Sequence, residues 1–203
     1  NDQDGPVTFS KKACFLSILK ENKKKLRKEY RRRRDAFVGQ LDVASRNLSF
    51  RRPPSPLTRL FEPGQTVAFY RSVGSEAPTE RLIEYLTETG VNIAFPRVTD
   101  NGVLEFRLVT GPELLESGFR DIPEPGDTCP LADPDMIIAP LVAFDRSLRR
   151  LGQGGGYYDR SFAQYPEVPR IGLAWSVQEA AEIPSEPHDL PLHMIVTECE
   201  IIE

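Results

Sequence analysis

Nine consecutive residues, Met136 to Phe144, carry neither a charge nor a hydroxyl, and they constrain this 203-residue chain more than any other segment. A strand apolar on both faces has to be covered on both faces, and a parallel sheet flanked by helices provides that cover. Other strand-like runs are Thr66 to Tyr70, Asn92 to Arg97, Leu104 to Val109, Arg170 to Trp175 and Met194 to Ile202. Helical patterns lie between them at Thr79 to Thr89, Tyr158 to Gln164 and Ser176 to Ile183. Strands alternating with helices predict an α/β fold, a three-layer α/β/α sandwich with a mostly parallel central sheet.

The rest of the chain fits around that sheet. From Asn22 to Leu48 there is no proline, and Leu26, Tyr30, Phe37, Leu41, Ala44 and Leu48 form one apolar stripe on a long helix. Leu104 to Val109 alternates and follows an Asp-Asn-Gly turn, so it reads as a hairpin arm. Residues 110–134, rich in Pro, Gly and acids, read as a long loop, and 1–10 as a loose end. No second domain is indicated. The division expected is an extension over 1–19 and one α/β domain over 20–203.

Charge is unevenly spread. The net charge is −4, yet Lys20 to Asp35 holds ten Lys/Arg and three Asp/Glu, a local +7 against −11 for the remainder. Such a stretch binds an anion or nucleic acid, or is a solvated helix face. Cys14, Cys129 and Cys199 are widely spaced without a C-x-x-C pair, which argues against a disulfide framework or a zinc site. That usage points to a reducing, cytoplasmic setting. No apolar run approaches a membrane span.

The chemistry concentrates after the apolar run. Gly152, Gly154, Gly155 and Gly156 fill four of five positions, followed by Tyr157, Tyr158, Asp159 and Arg160. Glycines reach positive φ without strain and leave no Cβ in the way of a ligand. Backbone N–H groups at a helix start attract phosphate. Asp159, one turn inside, could hold a divalent cation against that phosphate. The loop is not a dinucleotide fingerprint, since Tyr157 takes the place of the last glycine of G-x-G-x-x-G, and no G-x-x-x-x-G-K-[ST] occurs. Glycines alone fit a plain turn; the Tyr-Tyr-Asp-Arg continuation and the preceding Arg149 and Arg150 favour a phosphate site. Ligands of open α/β sheets bind beyond the carboxyl ends of strands. Glu76, Asp159 and Asp189 could share such a mouth. For Glu76, an acceptor for ring N–H groups and an acid at a helix start are both open. Asp189, among Pro184, Pro187 and Pro191, could also be a turn residue.

Arg150 to Asp159 (RLGQGGGYYD) resembles the signature of the 5-formyltetrahydrofolate cyclo-ligase family. Matching pieces in the family's order are Lys23 to Arg27, Gly74 to Thr79, Phe95 to Val98, Ile122 to Pro125, Pro140 to Asp145 and Pro184 to Asp189. The resemblance covers roughly residues 20 to 200. It implies the three-layer sandwich and conversion of 5-formyltetrahydrofolate to 5,10-methenyltetrahydrofolate, with MgATP giving ADP and phosphate. It implies ATP contacts from Lys23, Arg27, Arg150, Leu151, Gly152, Gln153, Gly154, Gly155, Gly156, Tyr157 and Tyr158. It implies folate contacts from Glu76, Tyr157 and Tyr158, and Mg²⁺ on Asp159 and Asp189. No side-chain nucleophile or base is required, and His188 carries little catalytic weight. A monomer or weak dimer is expected, without a membrane or nucleic-acid partner. The alternative is a nucleotide or nucleic-acid binder on the same fold without cyclo-ligase activity; a ligase instead requires the basic helix to face the glycine loop. Four positions depart from the family's pattern. Arg71 and Ser72 follow Tyr70 where a small or apolar residue and proline are frequent, Gly155 stands where lysine sometimes occurs, and His193 stands where aspartate is common.

Overall fold

The proline-free amino-terminal stretch forms one helix, α1 (Val7–Val38). The structure, a computed structural model, describes residues 7–203 apart from 112–113, 119–120 and 187–188; Pro187 and His188 lie outside the described residues. Helix already begins inside the stretch read as a loose end. The long helix expected to reach Leu48 stops at Val38. Gly39 donates to Asp35 O (2.9 Å) and Asp42 caps a new helix, α2 (Val43–Leu48), by accepting the Ser45 N–H at 2.8 Å. The apolar stripe fails with it, because α2 buries nothing and Leu48 is exposed.

After a short helix, α3 (Ser55–Thr58), the chain enters β1 (Thr66–Ala68), α4 (Glu80–Glu88), β2 (Asn92–Val98) and β3 (Leu104–Leu108). The acidic stretch that follows contains a small hairpin, β4 (Leu115–Ser117) with β5 (Pro123–Pro125), and is therefore not all loop. Then come β6 (Met136–Pro140), β7 (Ala143–Phe144), β8 (Arg150–Leu151), α5 (Tyr157–Gln164), β9 (Arg170–Leu173), β10 (Met194–Val196) and β11 (Ile201–Ile202).

The main sheet runs β11-β10-β9-β6-β1-β2-β3. Its five inner strands are parallel, and both edge strands pair antiparallel. Alternate residues leave opposite faces. Val67, Ile93 and Ile138 pack with Leu82 and Leu86 of α4 and Val38 of α1. Ala68, Ala94, Ile137 and Ala139 pack with Phe162 of α5. Helix, sheet and helix make the three layers.

Three further elements differ from expectation. The apolar run Met136 to Phe144 is two strands: Pro140 lacks an N–H for the ladder, and β7 leaves the sheet to pair with β8. The turn between them is built on Asp145, 2% exposed, which accepts the N–H groups of Ser147 (2.9 Å), Arg149 (3.1 Å) and Ile183 (2.8 Å). The helix expected over Ser176 to Ile183 is only a 3-10 turn, Ser176–Gln178. The buried Gln178 side chain takes the Trp175 N–H (2.9 Å) and donates to Leu141 O (2.7 Å), anchoring an extended segment instead. The last run folds back at Thr197, so β10 and β11 form a hairpin.

Candidate active site

Chain order along the parallel strands reverses at β1, whose neighbours are β2 on one side and β6 on the other. Such a switch point leaves a crevice at the strands' carboxyl ends. A cavity of about 450 Å³ opens there, beyond Tyr70 of the β1 strand end and Pro140 of β6. That lies in the size range of small-ligand clefts, about 300–1,000 Å³. Every predicted site residue reaches it: Lys23 and Arg27 from α1, Glu76 from the loop after β1, Arg150 to Asp159 from β8 through the first turn of α5, and Asp189.

The glycine loop is shaped by backbone that other residues resist. Gly154 has φ 103°, and a Cβ there would stand 3.3 Å from Arg27 Cζ. Gly156, the N-cap of α5, has φ 70°. A Cβ on Gly155 would come within 2.4 Å of the Tyr157 ring, so a lysine there is incompatible with this ring position. The basic helix faces the loop. Arg27 Nε donates to Gly152 O at 2.8 Å, and Arg31 Nε to Gln153 Oε1 at 3.1 Å. Lys24, Lys25, Lys28, Arg32 and Arg33 form the opposite, exposed face.

Opposite charges are interleaved in the mouth. Lys23, 6% exposed, sits 2.5 Å from Asp189 Oδ2 and 2.9 Å from Glu186 Oε2. Arg150 Nη2 sits 2.5 Å from Asp159 Oδ1, with its guanidinium over the Phe162 ring. Burial lowers the pKa values of both Arg27 and Arg150, and Arg31 pushes Arg27 further down. Packing cations this closely favours an anion in the cavity. Arg149, by contrast, turns away to Glu182 at 3.1 Å.

Glu76 is not a helix cap. The N-cap of α4 is Thr79, and its first-turn acid is Glu80. The Glu76 carboxylate instead accepts from Val73 N–H and from Gln153 Nε2, each at 3.1 Å, and lies 3.9 Å from Arg34. Desolvation raises its pKa. Tyr70 Oη donates to Ala77 O (2.7 Å) and Trp175 Nε1 to Ser75 O (3.0 Å), fixing the loop that carries it. Tyr158 packs into both core layers, and desolvation holds its phenol well above the ordinary value. Tyr157 lies under the Arg160 guanidinium, 5.2 Å from its ring centre.

Sequence reasoning missed one lining residue and the contacts of others. Glu186 pairs with Lys23 although only its neighbour Asp189 was singled out. Gln153, expected as an ATP contact, also links α1, the loop and Glu76, contacts that carry no sequence signal. Arg71, noted only as a departure, lines the cavity. His193 lies at the amino ends of the strands, where its Nδ1 accepts the Arg170 N–H at 3.0 Å, across the sheet from the mouth.

The sheet order and this charged mouth define an open α/β protein with a ligand cleft at its switch point. The family model described as the 5-formyltetrahydrofolate cyclo-ligase family matches residues 19–198. A 5-formyltetrahydrofolate cyclo-ligase of Escherichia coli (strain K12) is 34% identical over 147 residues, 68% of this chain and 80% of the relative. One from Haemophilus influenzae is 32% identical, over 65% of this chain and 75% of its own length. The solved 5,10-methenyltetrahydrofolate synthetase of Aquifex aeolicus superposes with a TM-score of 0.69 at 27% identity, over 88% of this chain and 91% of that one. The chain belongs to the 5-formyltetrahydrofolate cyclo-ligase family. These comparisons favour an enzyme over a non-catalytic binder.

Proposed function

We propose that this chain converts 5-formyltetrahydrofolate to 5,10-methenyltetrahydrofolate, with ATP giving ADP and phosphate. The observation that carries the reading is convergence: the separated family motifs meet around one cavity at the switch point. The formyl oxygen is a poor leaving group until phosphorylated. It takes the γ-phosphoryl group and ADP departs. N10 then attacks the activated carbon, loses its proton, and phosphate leaves with the formyl oxygen. Such transfer needs positioning and charge neutralisation more than a protein nucleophile.

Each part of the mouth has a task in that scheme. The glycine loop, Lys23, Arg27 and Arg150 hold the phosphates. Glu76 accepts N–H groups of the pterin ring, and Tyr157 offers its face. Asp159 and Asp189 are hard oxygen donors in one cavity, a set that fits Mg²⁺, which takes one or two carboxylates together with phosphate oxygens and waters. Bound there, the ion neutralises phosphate charge. Among the described residues no group of three or more His, Cys, Asp or Glu could hold a metal by itself.

The same reading includes a cytoplasmic location, in keeping with three free cysteines. It includes a single domain over 20–203 with an extension over 1–19, and a monomer or weak dimer. No helix among the described residues is long and apolar enough to cross a membrane. The test is the absorbance of the methenyl product with one phosphate released per ring closed. Product that appears without ATP, or ATP hydrolysed without product, would contradict the proposal.

A further inference from the structure

Arg71 is the anomaly of the cavity. It follows Tyr70 at the carboxyl end of β1, is half-buried, and lines the cleft. Its guanidinium stands 5.5 Å from the Phe95 ring centre. Among the described residues it has no ion pair and no hydrogen bond, unlike Lys23, Arg27 and Arg150 in the same cavity. Glu124, a carboxylate lining the cleft, takes the Val98 N–H at 3.4 Å rather than this guanidinium. Lys20, also at the cavity, is exposed on α1, on the phosphate side. Arg71 stands on Phe95, and the same cavity has apolar lining from Pro96, Val98, Leu104 and Pro123. A cation standing on an aromatic ring is held in place and partly desolvated, and a planar fork of donors matches a carboxylate.

The substrate class, taken from the function proposed above and resting on it, has three chemically distinct parts. A pterin ring offers N–H donors, an aryl group is apolar, and a glutamate tail carries carboxylates. Glu76 suits the first and the Pro96–Val98–Leu104 wall the second. We propose that Arg71 takes a carboxylate of the glutamate tail and so sets the preference of this chain for glutamylated substrate. The charge stands where the family pattern described above frequently has a small or apolar side chain.

The test compares wild type, Arg71→Leu and Arg71→Lys on 5-formyltetrahydrofolate and on the analogue that lacks the glutamate. Preference is read as the ratio of the two kcat/KM values. Arg71→Leu keeps the apolar stem and loses the charge, so the preference falls about tenfold, the cost of a charge-assisted hydrogen bond, and the fall lies in KM. Arg71→Lys retains part of it. A ratio unchanged in Arg71→Leu, or equal losses on both substrates, overturns the role of Arg71 while leaving the cyclo-ligase reading intact. Wild type inactive on both substrates overturns that reading, and the role of Arg71 with it.

Discussion

Glu76 and Asp159 are the side chains through which the two halves of the mouth can be separated. Glu76→Gln removes a charge and turns an NH₂ toward donors. Loss of a charge-assisted hydrogen bond costs about 1.5–3 kcal/mol, so folate affinity weakens by roughly tenfold or more with ATP affinity nearly unchanged. Calorimetry on both ligands checks this; equal weakening of the two would point to a general disturbance of the loop. Asp159→Asn removes the charge proposed to hold the metal. Turnover falls at least about tenfold, roughly 1.4 kcal/mol of barrier, and the loss deepens at limiting Mg²⁺. The same variant weakens the pair with the buried Arg150, so its urea midpoint also falls. Unchanged turnover at limiting Mg²⁺ would remove Asp159 from the metal site. These residues were legible because types and spacing matched a motif. Glu186 and the contacts of Gln153 were not: each acts through a partner more than a hundred positions away in the chain, Lys23 for the one and Arg31 for the other.

The β7–β8 hairpin delivers the glycine loop to the cavity, and its turn depends on one buried carboxylate. Asp145→Ala leaves the N–H groups of Ser147, Arg149 and Ile183 without their acceptor. The expected loss is about 2–3 kcal/mol of stability, seen as a lower urea midpoint. A change below about 0.5 kcal/mol, the range of ordinary surface substitutions, would show that the turn forms without this anchor. Inner strands were the easiest elements to read, because Val, Ile and Ala runs buried on both faces have few alternatives. The hairpin was hidden inside such a run. Apolar composition reports burial, and Pro140 was the sole local sign that the ladder ends there. The segment after Trp175 was misread for a related reason: its 3.6-residue pattern is real, but the Gln178 side chain satisfies the strand-end carbonyls Leu141 and Val142 and holds the chain extended.

The molecule as a whole joins one sheet to one charged cleft, and its pH response follows from what the cleft buries. Desolvation raises the Glu76 pKa above its ordinary 4.5. The folded chain thus holds this proton more tightly than the unfolded chain does. The resulting stabilisation is full below the unfolded value and is lost as pH rises through the folded one. Stability of wild type relative to Glu76→Gln therefore declines as pH rises from about 4.5 through that window, measured by urea unfolding at stepped pH. A flat difference would mean that burial of the carboxyl is relieved by its neighbours. Sheet order itself was beyond reach of the sequence, since strand adjacency depends on which way each connection crosses. The rule that ligands sit at carboxyl ends nevertheless gathered Glu76, Asp159 and Asp189 correctly.

The central claim is that the loop at the switch point is a phosphate cradle rather than a plain turn, and Gly154→Val tests it most directly. Gly154 combines a φ of 103° with a Cβ position 3.3 Å from Arg27. A β-branched side chain there strains the backbone and fills the space between loop and basic helix. Calorimetric titration of this variant with a non-hydrolysable ATP analogue and with 5-formyltetrahydrofolate separates the two possibilities. The expected result is loss of nucleotide binding with folate binding largely kept. Normal nucleotide affinity would contradict the phosphate cradle and leave Gly152 to Gly156 as a turn between β8 and α5.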